Sequence, residues 1–269
     1  MSAFVDVTVN IDSKPFLIRS DRGYAEAVLQ REEFEPGLVK AIRALAEGSK
    51  VALDVGANIG CTAILMSSLA EKVLAFEPAP STFGLLMHNT RGFENIALHN
   101  FALGEQKSQA QIQFAPDNRS GGFISETKAT TGHAIEGVVI KTLDQFCAED
   151  ELAAIDFIKI DTEGYEGHVL RGGADSLMKF KPVVIGEINH WCLNAFQRTS
   201  IPDFFDQLRS IFPILLAVDH VGERLANLHD SDSSYVVTYE HIVGGKWSEF
   251  IGAFDEDRLV RLRELYKMM

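Results

Sequence analysis

The chain has 269 residues, of which 25 are Lys or Arg and 38 are Asp or Glu, for a formal charge of −13. With 46% hydrophobic and 23% charged residues it has the composition of a folded globular protein and not of a disordered one. The acid excess argues against a partner held mainly through phosphates, such as nucleic acid, and against docking on an anionic membrane.

In chain order, Phe4 to Ile11 alternates apolar and polar residues, Asp12 to Pro15 supplies turn chemistry, and Phe16-Leu17-Ile18 follows, which predicts an N-terminal β-hairpin. Tyr24 to Arg31 and Pro36 to Glu47 read as helices, with Pro36 in a first turn and Gly48 just past the end. Val51 to Val55 is a continuous apolar run, the pattern of a strand buried on both faces. Cys61, Ile64, Leu65 and Ser68 then fall on one helix face. Val73 to Phe76 is a second strand, Ser81 to Thr90 a helix with Ser81 as expected N-cap, and Ile96 to Phe101 a third strand. This β-α-β-α-β order predicts a parallel, doubly wound sheet.

Ala110 to Phe114 and Gly137 to Ile140 read as strands separated by a Gly/Ser/Thr-rich stretch, Asp117 to Gly132, expected to be a functional loop. Its Ser120-Gly121-Gly122-Phe123 reads either as a lid or as a plain flexible loop. Thr142 to Cys147 begins a helix, Ile155 to Ile160 is a strand ending at Asp161, and Glu166 to Arg171 is a short helix stopped by Gly172. Pro182 to Ile185 is a strand ahead of Glu187, and Ser200 to Asp203 is a capping box opening a helix to Ile211. Ile214 to Val218 and Tyr235 to Tyr239 are expected to be paired strands, and Asp255 to Lys267 a closing amphipathic helix. The expected organisation is one domain, residues 50–269, behind an N-terminal extension, residues 1–49.

Cys61, Cys147 and Cys192 are widely spaced with no CxxC pair, which suits a reducing compartment and offers no zinc framework. Met1 to Asn10 lacks a basic and apolar leader, and the uncharged run between Asp54 and Glu71 is broken by Gly56, Gly60 and Ser67. The expectation is a soluble, cytoplasmic protein without membrane attachment.

The chemistry gathers around Leu53-Asp54-Val55-Gly56-Ala57-Asn58-Ile59-Gly60. Gly56 permits a sharp turn off the strand, Asn58 tolerates positive φ, and Gly60 allows close helix–strand packing. A nicotinamide site would place glycine where Asn58 stands and a pyrophosphate on the helix N-terminus. Asp54, two residues before the first glycine, repels a pyrophosphate. It suits instead a bound water or an ammonium group, as at the amino-acid end of S-adenosylmethionine. Glu77, closing the second strand, is placed to accept both hydroxyls of a ribose. A nicotinamide oxidoreductase and a non-catalytic nucleoside-binding module remain the rival readings.

Asp54 to Gly60, Phe76-Glu77-Pro78, Asn89, Asn100 to Gly104, Thr142-Leu143-Asp144 and Ile158 to Glu166 together resemble the FkbM family of methyltransferases. The resemblance runs from about Val51 to Val218. It implies a Rossmann-like class I methyltransferase fold: a mostly parallel seven-stranded sheet, helices on both faces, and a C-terminal antiparallel strand pair. It also implies S-adenosylmethionine as cofactor and methyl transfer to a hydroxyl of a carbohydrate or glycosylated small molecule. By that resemblance Gly56, Asn58 and Gly60, with Ala57 between them, cradle the methionine end. Glu77 and Pro78 meet the ribose, Ala102 lines the adenine, and Asp161 stands at the reaction site.

An acceptor hydroxyl needs a base or an orienting group, and ligands in open α/β sheets lie at the carboxyl ends of strands. Asp161 and Glu187 end strands there, Glu163 follows in the loop, and His190 lies three residues past Glu187. These four are the catalytic candidates, Asp161 foremost. The plainer alternative makes Asp161 and Glu163 helix-start acids. Asp161, Glu163 and Glu187 form a third possibility, a divalent-cation site such as one for Mg²⁺. The acceptor, metal dependence and oligomeric state stay open, a homo-oligomer included.

Overall fold

The computed structural model describes residues 4–29, 32–115, 118–124 and 132–269. Strands β1 (Phe4–Ile11) and β2 (Lys14–Asp21) form the expected antiparallel hairpin. Its two-residue turn puts Asp12 and Ser13 at φ 52° and 61°, the positive pair that matches strand twist. Helix α1 (Arg22–Tyr24), capped by the Asp21 side chain, runs into a π-helical turn over Ala25–Leu29. Residues 30–31 of the predicted helix lie outside the described residues. Helix α2 (Pro36–Ala46) carries proline in its first turn, and Gly48, at φ 85°, follows its cap.

Then come β3 (Ser49–Val55), α3 (Cys61–Ser67), β4 (Ala70–Phe76), α4 (Pro80–Thr90) and β5 (Ile96–His99). Ser81 is not the N-cap of α4: Ala79 holds that position ahead of Pro80, and the Ser81 amide donates to Glu136 Oε2 at 3.0 Å. Strands β6 (Ala102–Leu103), β7 (Ser108–Ala115), β8 (Asn118–Ile124) and β9 (Ala134–Lys141) form a separate four-stranded sheet in the order β6-β9-β7-β8. Part of the expected loop is therefore strand β8. It pairs with β7 through Ile112–Ile124 and Gln113–Phe123, despite the two glycines that hid it in the sequence. Residues 117 and 125–131 of that stretch lie outside the described residues.

The second half contains α5 (Leu143–Glu149), β10 (Phe157–Ile160), α6 (Glu166–Arg171), α7 (Ala174–Phe180), β11 (Val183–Glu187), α8 (His190–Gln197) and α9 (Ile201–Ile211). The Ser200–Asp203 capping box forms as expected. The chain closes with β12 (Ile214–Asp219), β13 (Arg224–Asn227), α10 (Ser231–Gly244), β14 (Glu249–Ala253), a 3₁₀ turn at Glu256–Leu259, α11 (Val260–Leu265) and β15 (Lys267–Met268).

The main sheet has nine strands in the order β15-β13-β12-β14-β11-β10-β3-β4-β5. That is two strands more than the seven expected, with β13 and β15 at one edge beyond β12. Strand β14 runs antiparallel to both β11 and β12, so it is the antiparallel partner expected near the C-terminus. Tyr235 to Tyr239 are not that strand; they lie in α10, which Asp230 caps. Val237 is buried there while Tyr235 and Tyr239, four apart, face outward, a helical period that the β-branched Val236-Val237-Thr238 run disguised. The closing helix is also shorter than expected, because residues 267–268 pair with β13.

The sheet is buried on both faces. Ala52, Val73 and Val183 pack with α2 and α3 on one side, and Leu53, Val55 and Leu74 pack with α5, α6 and α9 on the other. Val9, Ile11 and Ile18 of the hairpin belong to the first of these clusters, so the N-terminal segment shares the core of the sheet.

Candidate active site

Strand β3 delivers the chain to Gly56, where φ is 81°. A Cβ at this position would sit 1.8 Å from the Asp161 carbonyl oxygen, so only glycine lets the turn pass the end of β10. The amides of Gly56 and Ala57 both donate to the Phe76 carbonyl, at 3.0 and 2.9 Å, which ties the turn to the end of β4. Asn58 takes φ 49°, and its amide donates to Glu77 Oε2 at 3.1 Å. The other Glu77 oxygen accepts the Ala79 amide at 2.9 Å. The carboxyl is thereby fixed by two backbone donors. Burial pushes its pKa up to about 7, against the pull of those two hydrogen bonds.

Asp54 lies under the turn with 0% exposure. Its Oδ2 accepts from the Thr62 hydroxyl at 2.6 Å, and its Oδ1 lies 3.5 Å from Lys159 Nζ. Asp54 and Lys159 are register partners on neighbouring parallel strands. The same ammonium is 3.3 Å from Asp161 Oδ2 and donates to the Gly56 carbonyl at 3.2 Å. Burial opposes the Lys159 charge, but Asp161 and Asp54 more than offset it and raise its pKa. Lys159 is thus a strut joining β3, the glycine turn and Asp161.

One cavity of about 1080 Å³ lies at the carboxyl ends of β3, β4, β10 and β11. Gly56, Asn58, Glu77, Pro78 and Ala102 line it, and so do Asp161, Glu163 and Glu187. Asp54 does not line it, because its oxygens are taken up beneath the turn by Thr62 and Lys159. Ala57 and Gly60 also face away. Gly60 is a packing residue, since a Cβ there would come within 2.9 Å of Leu86 and 3.0 Å of Thr90. His190 does not join the acids either: it starts α8 with its Nδ1 3.1 Å from His241 Nε2 and does not line this cavity.

Glu166, fully buried, organises the loop after β10. Its Oε1 accepts from the Thr162 amide and hydroxyl, at 2.8 and 3.0 Å, and from the Gly164 amide at 3.3 Å. Glu163, at φ 54°, accepts from Asn189 Nδ2 at 3.0 Å and from the Cys192 thiol at 3.2 Å. Burial, and then the nearby Asp161 charge, push Glu163 up to about 7. Glu187 is pushed well above the usual carboxylate range by burial and by Asp161, Glu163, Glu166 and Glu249 around it. Its Oε2 has no hydrogen-bond partner among the described residues. Among those residues no group of three or more His, Cys, Asp or Glu side chains is arranged to hold a metal ion.

Sequence reasoning missed Tyr24, Glu35, Arg119 and Tyr165, which also line the cavity. Tyr24 and Glu35 arrive from the N-terminal segment by long-range packing, which no local pattern encodes. Arg119 comes from β8, its guanidinium 4.8 Å over the Phe114 ring and hydrogen-bonded to the Ser81 hydroxyl. An arginine amid the Gly/Ser-rich stretch was the available signal.

Strand order, glycine turn and strand-end acid define a Rossmann-like α/β protein of the class I methyltransferase architecture. Residues 54–224 match the methyltransferase FkbM domain, and the chain belongs to that family. It is 31% identical over 154 residues to the hexuronic acid methyltransferase AglP of Haloferax volcanii, covering 56% of this chain and 61% of that one. It is 28% identical over 155 residues to the 2-O-methyltransferase NoeI of Sinorhizobium fredii, covering 50% and 62%. The chain spans about three fifths of the length of these two relatives. The solved methyltransferase FkbM of Methylobacillus flagellatus KT is 20% identical, with 61% of this chain and 38% of that one covered, at a TM-score of 0.42. Among the described residues no helix is long and apolar enough to cross a membrane.

Proposed function

We propose that this protein is an S-adenosylmethionine-dependent O-methyltransferase that methylates a hydroxyl of a carbohydrate or glycosylated small molecule. The observation that carries the reading is the shared cavity. A doubly anchored Glu77 carboxyl and the Gly56–Asn58 turn face the same space as Asp161 and Glu187. The donor set fits an adenosyl amino acid. Glu77 has lone pairs left for two ribose hydroxyls, and Pro78 and Ala102 offer flat apolar walls for a base. The acids Glu35 and Asp161 at the turn favour an ammonium group over a pyrophosphate. AglP and NoeI, named for a hexuronic acid and for a 2-O position, support a saccharide hydroxyl as acceptor.

S-adenosylmethionine, when bound, supplies the activated methyl group. The protein's part is alignment and removal of a proton. Asp161, held by Lys159 at 3.3 Å, orients the acceptor hydroxyl. Glu187, with a buried free oxygen and a raised proton affinity, takes the hydroxyl proton. Glu163, held by Asn189 and Cys192, shapes the wall between them.

Calorimetric titration tests the cofactor half of this reading. S-adenosylhomocysteine should bind and NAD should not, and Glu77→Ala should lose the binding heat. Heat with NAD alone would reassign the protein to the oxidoreductases.

A further inference from the structure

A second cavity opens beside the first and shares Glu35, Asp161 and Glu187 with it. Its other walls include Gly37 and Leu38 of α2, His220 just after β12, and Ser248 and Glu249 at the start of β14. Helix α2 and strand β14 lie outside residues 54–224, so part of this wall comes from outside the segment that matches the family domain.

His220 and Glu249 are a built pair. Their side chains are 13% and 14% exposed, with Nε2 2.7 Å from Oε2. His220 Nδ1 lies 2.9 Å from the Tyr266 hydroxyl, which in turn reaches the Gly37 carbonyl at 3.3 Å. The Ser248 hydroxyl donates to the same Glu249 oxygen at 2.6 Å. Glu249 is also the cross-strand register partner of Glu187. Two carboxyls opposite one another on neighbouring strands are unfavourable unless a donor or cation satisfies them. Glu249 accepts from the Ser248 hydroxyl and has His220 Nε2 2.7 Å away, although that nitrogen makes no hydrogen bond among the described residues. Glu187 has no ion pair among the described residues, and its Oε2 is buried without a partner.

We infer that this second cavity is the acceptor site and that it takes an uncharged, hydroxyl-rich ring, a neutral sugar and not a uronic acid. Glu249, His220 and the free oxygen of Glu187 grip its hydroxyls. Four carboxyl groups line the cavity (Glu35, Asp161, Glu187 and Glu249), and Lys159, the one Lys or Arg among the described lining residues, is already engaged. Lys159 faces Asp54 and Asp161, and His220 faces Glu249. A carboxylate on the ligand would add negative charge to this group of acids, with no unpaired Lys or Arg among the described lining residues to receive it. A hydroxyl brings the donor that the Glu187 oxygen lacks. The inference rests on the methyltransferase reading for the position of the methyl group, but the choice between neutral and acidic sugar rests on the cavity itself.

The test is saturation-transfer NMR on protein loaded with S-adenosylhomocysteine, whose binding is followed by calorimetry in the same samples. The probes are the methyl glycosides of glucose, mannose and galactose, with glucuronic and galacturonic acids as acidic counterparts. At least one neutral glycoside should bind, and both uronates should bind at least roughly tenfold more weakly. Glu249→Gln and His220→Gln should each weaken the neutral glycoside about fivefold or more while the folded protein keeps S-adenosylhomocysteine. Uronates binding as well as neutral sugars, no glycoside binding at all, or folded variants that keep full glycoside affinity would each overturn the assignment. Glycoside signals from protein that gives no heat with S-adenosylhomocysteine would sink the methyltransferase reading and leave the neutral-sugar cavity standing.

Discussion

The Glu77 carboxyl carries two opposed demands. Its two backbone donors favour the charged form, yet burial lifts its pKa to about 7. Ribose hydroxyls donate best to the carboxylate, so binding should draw a proton off Glu77 whenever the pH is below that value. S-adenosylhomocysteine affinity should therefore fall by up to about tenfold per pH unit as the pH drops from 7 toward 5. Titrations across that range check this, and a flat profile would show that Glu77 does not meet the ribose. That Gly56, Asn58, Glu77 and Asp161 would share one cavity was readable in the sequence, because a strand end and a tight turn are local features. The place of Asp54 beneath the turn was not readable, because it depends on register: Lys159 stands opposite it on β10, and register is a tertiary property. The contact of His190 with His241 was hidden for a similar reason, since α10, the element its ring meets, was expected to contain a strand.

Asn89 on α4 shows how elements beyond the sheet hold the turn in place. Its Oδ1 accepts the Arg19 amide at 2.8 Å, and its Nδ2 donates to the carbonyls of Arg19 and Ile59, at 3.0 and 2.8 Å. One buried amide thus joins the N-terminal hairpin, α4 and the glycine turn. Asn89→Ala strands three backbone groups and should cost about 2–3 kcal/mol in urea unfolding. It should also weaken S-adenosylhomocysteine binding, because the Ile59 carbonyl sits in the turn. Unchanged stability would mean that water replaces the amide without loss. The parallel half of the sheet was readable from its apolar runs, each closed by an acid or a turn. Strand β8 was not, because Gly121 and Gly122 carry no strand signal and its pairing with β7 is supplied by the small sheet. Strands β13 and β15 were equally hidden, being four and two residues long.

Across the whole molecule the −13 charge matters less than where the acids are buried. Glu77, Glu163 and Glu166 are each pushed up to about 7, chiefly by burial, and Asp54 and Glu187 are raised as well. A carboxyl whose pKa is higher folded than unfolded favours the fold below its unfolded value, and that benefit is lost as the pH rises through the folded value. The ligand-free protein should therefore melt at a higher temperature at pH 6 than at pH 8. Bound S-adenosylhomocysteine should narrow the gap by stabilising charged Glu77. Differential scanning calorimetry at the two pH values decides this, and a melting temperature that rises between them would contradict the clustering of raised carboxyls around the cavity.

The account turns on transfer of a methyl group to a sugar hydroxyl. The most direct measurement supplies S-adenosylmethionine carrying a labelled methyl group, with neutral and acidic nucleotide sugars and polysaccharides offered as acceptors. It predicts label fixed as a methyl ether on a neutral sugar residue, in amounts that fall at least about a hundredfold with Glu187→Gln and vanish with Glu77→Ala. Protein that binds S-adenosylhomocysteine yet labels no saccharide, or a Glu187→Gln variant that labels one at the full rate, would contradict it.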